Sequence, residues 1–154
     1  MTREALWPYA LEVYGRAGVE PLLLELQDAH GQCVAYLIWA LWTAASGRPI
    51  GPAEASACAA LAAAWQDAAV APLRRMRREL KPAARTERLR DRIREGVKSL
   101  ELEAERMLLE MLEEATPAPA GSALAADPAL LLAAKAWGSD IPRELLERLA
   151  RLAT

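Results

Sequence analysis

Phenylalanine is absent from this chain of 154 residues, histidine occurs once and cysteine twice. Two cysteines 25 positions apart, Cys33 and Cys58, make no disulfide framework. A single histidine leaves little material for a zinc site or a histidine-based catalytic triad. Charge of one sign is also lacking. The net charge of −2 excludes a global field that would attract nucleic acid or an acidic membrane. The N-terminal "MTREALWPYALEVYG" has an early acid and no apolar signal region, so a cytoplasmic, reducing location is expected. The apolar run Cys33 to Ala45 falls short of the ~20 residues that cross a bilayer, so no membrane partner is expected.

What is present is apolar and helical. Hydrophobic residues make up 53% and charged residues 26% of the chain, with five Trp supplying much of the bulk. Periodicity and punctuation predict an all-α fold: a helical bundle with one long charged helix and a C-terminal helical hairpin. Pro8 and Pro21 sit near helix starts; Gly15 to Gly18 and Gly31 are stops. The helix from about Gln32 to Ser46 is apolar nearly all round, which places it at the bundle centre. An alanine-rich helix opens at Pro52, and Pro72 is expected to kink or restart it. A long helix over about Thr86 to Ala115 carries a heptad-like seam of Leu89, Ile93, Val97, Leu100, Ala104, Met107 and Met111. The expected division is a bundle over 1–115, a flexible linker over 116–126 and a hairpin over 127–154.

Three blocks, "VEPLLLELQDAHGQCVAYLIWALW", "PLRRMRRELK" and "VKSLELEAER", stand in that order between about Leu6 and Arg106. In this the chain resembles an uncharacterised proteobacterial family of small all-helical proteins, a domain of unknown function. The family pattern has Asp-Val-Asn where this chain has Cys33-Val34-Ala35. The resemblance implies an all-helical fold, and a polar role at those two positions would be absent here. It implies no activity and no catalytic residue.

The corner "LQDAHGQC" gathers Gln27, Asp28, His30, Gly31 and Cys33. A Cys–His nucleophile or a metal site would need these groups to converge, yet Gly31 separates them and the spacings match no metal motif. The expectation is a structural corner in which Gly31 supplies a left-handed C-cap, with no metal and no cofactor. Tyr36, Trp39 and Trp42 lie at helical spacing and read as core, with a Trp-lined groove as the alternative.

Charge segregation is the sharper feature. Residues 72–98 hold eleven Lys or Arg against four Asp or Glu. Arg74, Arg77, Arg78 and Lys81 recur at i, i+3, i+4, i+7, and Arg85, Arg88 and Arg92 continue the basic run. The long helix is basic in its first half and acidic in its second, against the macrodipole preference. That polarity suits an antiparallel neighbour, and a second copy of the same helix would supply one. The leading expectation is a non-enzymatic interaction or regulatory protein that associates with itself or with a protein partner. The alternatives are a nucleic-acid-binding regulator using the basic face and a small enzyme or ligand-binder at the Trp residues.

Overall fold

The computed structural model describes residues 5–81, 88–138 and 140–154. Helices run in the order α1 (Leu6–Tyr14), α2 (Val19–His30), α3 (Val34–Ala45), α4 (Pro52–Trp65), a π-helical turn (Gln66–Val70), α5 (Ala71–Glu79), α6 (Arg88–Glu114), α7 (Ala126–Trp137) and α8 (Arg143–Ala153). No strand occurs among the described residues, and the helices pack on one another as an all-α bundle.

Helix α3 decides the arrangement because it has no polar face to give to water. Leu37, Ile38, Ala40 and Leu41 are buried together with Tyr36, Trp39 and Trp42. A helix apolar on every side must be surrounded, and α1, α2, α4, α6 and α7 all pack against it. Tyr36 stacks on Trp39 with ring centroids 5.2 Å apart, and Trp137 of α7 lies 5.4 Å from Tyr36. The Tyr36 hydroxyl donates to the Ala55 carbonyl of α4 at 2.9 Å. The alternative of a groove lined by these three aromatics therefore fails. They are closed in by α4 and α7, and each keeps 1% of its surface or less.

Gly31 takes the left-handed conformation (φ 62°) after α2, and its neighbour's N–H (Gln32) donates back to the Leu26 carbonyl at 3.1 Å. This reversal turns the chain directly into α3. The Gly31 carbonyl in turn accepts from Trp137 Nε1 at 2.8 Å, so α7 clasps the corner.

Helices α7 and α8 contribute to the same buried cluster as α1 to α3. Helix α7 packs on both α3 and α4, and buried small residues on each side, Ala129, Ala133 and Ala134 of α7 and Ala59 and Ala62 of α4, suit close approach. Helix α8 lies against α2 and α7. The stretch read as a linker, 116–126, is tied to the corner after α3: Arg48 donates to the Pro117 carbonyl at 3.0 Å, and Ala120 N–H to the Gly47 carbonyl at 3.0 Å. Arg48 also stacks its guanidinium 4.4 Å above the Trp42 ring.

Thr116 joins the end of α6 to the core. Its hydroxyl accepts from Trp39 Nε1 at 2.7 Å and donates to the Leu112 carbonyl at 2.5 Å. Thr116→Val keeps the shape and strands the indole N–H in the core. The expected loss is about 1–3 kcal/mol of unfolding free energy, read by urea denaturation.

A groove bounded by α1, α2, α3, α5 and α6

Pro72 has no N–H and its ring crowds the carbonyl of the preceding turn. The chain meets this with one wide turn just upstream, where Ala71 N–H reaches the Gln66 carbonyl five residues back. Helical winding thus continues from Pro52 to Glu79 without a break. The insertion turns Gln66 and Val70 toward a groove, and π-turns recur at functional sites for this kind of re-aiming.

Beyond that turn, α5 runs antiparallel to α6 and is held by charge. Arg77 Nε donates to Glu101 Oε2 at 2.5 Å, and Arg74 Nε to Glu101 Oε1 at 3.3 Å. Arg74 also reaches Glu105 at 3.4 Å. Only 10% of the Glu101 side chain is exposed. In the other direction, Arg94 donates to the Arg77 carbonyl and Arg90 to the Glu79 carbonyl, capping the end of α5 with cations. The acidic half of α6 has a second use: Glu113 accepts from the Leu6 N–H at 3.0 Å, placing a carboxylate at the N-terminus of α1.

The basic residues singled out from sequence therefore divide. Arg74 and Arg77 face α6 and are neutralised there. Arg78 is exposed, Lys81 is exposed just past the end of α5, and Arg88 and Arg92 are exposed on α6; Arg75, which the helical spacing did not single out, is exposed as well. Arg85 lies outside the described residues. Of the corner residues, Gln27 donates to Asp28 at 3.3 Å and both line the groove, whereas His30 does not.

The groove encloses about 480 Å³, within the ~300–1,000 Å³ typical of ligand sites. Trp7, Ala10, Val34, Ile38, Leu108 and Leu109 supply its apolar wall, and Arg74, Arg77, Arg78, Glu101 and Glu105 one polar side. It brings Gln27 and Asp28 together with the α5 arginines, two features about 50 positions apart that sequence treated separately. Cys33 and Ala35, the positions of the departure from the family pattern, lie in its wall. Burial pushes the Cys33 thiol up to about 11, so it stays protonated near neutrality. Among the described residues no three His, Cys, Asp or Glu side chains cluster as a metal site would need.

Sequence reasoning missed Glu101, Glu105, Gln66 and the exposed leucines Leu11, Leu24 and Leu102 that also line the groove. One signal was available for the acids: Glu101 and Glu105 are like charges one helical turn apart, a repulsion that asks for a shared cation. Arg74 is that cation.

The two carboxylates should respond oppositely to removal. Glu101→Gln leaves two half-buried arginines short of a counter-charge. It should cost about 2 kcal/mol, below the ~3–5 of a fully buried pair because both arginines retain some water contact. Desolvation raises the pKa of Glu105, more than Arg74 lowers it. A carboxyl raised in the folded state stabilises below the unfolded value and loses that contribution as pH rises through the folded value. Glu105→Gln is therefore expected to match or exceed the parent's stability near pH 7, the difference closing below about pH 4. Urea denaturation at both pH values checks both variants.

No curated protein matches the chain, and no solved structure does. A family model does, over residues 5–112, a stretch that contains every residue lining the groove and ends before α7. Covering well over half of the 154 residues, that match shows the chain to be a member of the family described as Protein of unknown function (DUF2390).

Proposed function

We propose that this protein is a non-enzymatic interaction protein that pairs with a second copy of itself through α6. The observation that carries this is an apolar stripe left open to water. Leu89 (69% exposed), Ile93 (51%), Leu100 (53%) and Met107 (46%) are all exposed on one helix. At ~100° per residue they fall within about 40° of one another. The buried side chains Val97, Glu101, Ala104, Leu108, Leu109 and Leu112 face the bundle from roughly 60–200° round from Leu89. Of the seam read from sequence, Val97 and Ala104 are buried and Met111 packs partly buried against the core, while Leu89, Ile93, Leu100 and Met107 stayed outside.

Gly96 sits in the middle of that stripe. A Cβ there would meet nothing within 4 Å, so packing inside the chain does not require glycine. Glycine inside a helix costs about 0.5–1 kcal/mol relative to alanine. Close approach of another helix accounts for it. Two α6 helices antiparallel about Lys98 would seat Leu100 of one copy over Gly96 of the other and Leu89 over Met107. The same register sets Arg88 and Arg92 near Glu103 and Glu110, opposing charges across the rim.

A second reading rests on Arg75, Arg78, Lys81, Arg88 and Arg92, which are exposed with no carboxylate in ion-pair range among the described residues. They suit contact with a phosphate backbone, and no helix of the described residues is long and apolar enough to cross a membrane. Binding of a duplex RNA or DNA probe would weaken steeply with salt, and Arg75→Ala with Arg78→Ala would flatten that dependence. No binding at low salt removes this reading.

Light scattering after size exclusion tests the first. A dimer is expected, dispersed by Ile93→Glu or Leu100→Glu without loss of helical signal. Gly96→Ala should weaken pairing while raising the monomer's melting temperature. A chain monomeric at every concentration and salt overturns it.

A further inference from the structure

The groove occupies the flank of α6 opposite the self-pairing stripe, and its shape and free charge describe a different occupant. Its rim is made by Leu11 of α1 (56% exposed), Leu24 of α2 (38%) and Leu102 of α6 (54%). Three of the large apolar side chains left in water thus come from three helices to one mouth. A small molecule seated in about 480 Å³ would leave these leucines wet. A helix ~10 Å across laid along the opening would cover them while inserting its own apolar side chains between Trp7, Ile38 and Leu108.

The charge at the groove's edges is asymmetric. Arg74 and Arg77 are answered by Glu101 and Glu105. Arg78 lines the groove with no carboxylate in ion-pair range among the described residues. With Arg75 it also lines the adjoining concavity on the outer side of α5, where Glu79 is the one acid among the described residues. Asp28 stands on the α2 edge, engaged among the described residues by Gln27 alone. An occupant would carry carboxylates on the side facing α5 and none on the side facing α2. Gln66, re-aimed by the π-turn, presents an amide that makes no side-chain hydrogen bond among the described residues.

We infer that the groove is a docking site for an amphipathic helical segment of a partner protein, its apolar face inserted past Leu11, Leu24 and Leu102 and its acidic edge against Arg78 and Arg75. The site is separate from the α6 stripe and is open in a monomer or a dimer alike.

The test titrates the full-length chain, 15N-labelled and carrying Ile93→Glu so that self-pairing does not intervene. Two model peptides of about five helical turns share one leucine face, one with Glu and the other with Lys on the polar face. The Leu/Glu peptide is expected to shift the amides of Leu11, Leu24, Gln66 and Leu102. It should bind about tenfold tighter than the Leu/Lys peptide, a preference reversed by Arg75→Glu with Arg78→Glu. Equal affinity, no shift at those amides, or shifts confined to Leu89, Leu100 and Met107 of the open stripe and their immediate neighbours at 88–90, 99 and 106–108 would overturn the inference. So would displacement of the peptide by dodecanoate at lower concentration, which would give the groove to a small amphiphile. A groove filled by a second copy would show instead as self-association lost on Arg78→Glu and kept on Ile93→Glu.

Discussion

Everything in this bundle follows from a helix that cannot tolerate water on any side. α3 has to be enclosed, and the elements that enclose it are those left with an apolar stripe and a short enough connection. α2 reaches it through one left-handed glycine, α4 through the turn after Ser46, and α6 through the Trp39 to Thr116 hydrogen bond. α7 closes the remaining side, its small residues fitting the alanine face of α4. Once α3 is covered, the directions of α5, α6 and α8 are set by what surface remains.

The long helix then serves three neighbourhoods at once. Its inner arc joins the core and its flank at Leu102 and Leu109 lines a groove. Its opposite flank stays open with Leu89, Ile93, Leu100 and Met107. Its unusual polarity, basic first and acidic last, costs helix stability locally but is used from outside the helix. Arg90 and Arg94 close the end of α5, Glu101 and Glu105 hold Arg74 and Arg77, and Glu113 meets the start of α1. The charge segregation is tertiary before it is anything else, and it leaves Arg75, Arg78, Arg88 and Arg92 exposed.

The π-turn ahead of Pro72 links fold and site. A proline that would break an ordinary helix is accommodated by one wide turn, which redirects Gln66 and Val70 and lays α5 along α6 as the groove's basic wall. The groove exists because that wall and the α2 corner face each other across α3, with Cys33 and Ala35 between them.

The sequence by itself determined the helical class, the position of α3 and the glycine corner, because burial all round and a left-handed cap are written in local composition. It located the basic run and the reversed polarity of α6. It did not decide which arginines turn inward, because Arg74 and Arg78 lie on one helical stripe and differ only in what stands opposite. It read the aromatic triplet as core, as found, but it did not reveal that plainer residues such as Leu11, Leu24 and Leu102 ring an opening. Those outcomes depend on how far each helix is rotated against its neighbours. That rotation is set by packing volume and ion pairing between segments distant in the chain.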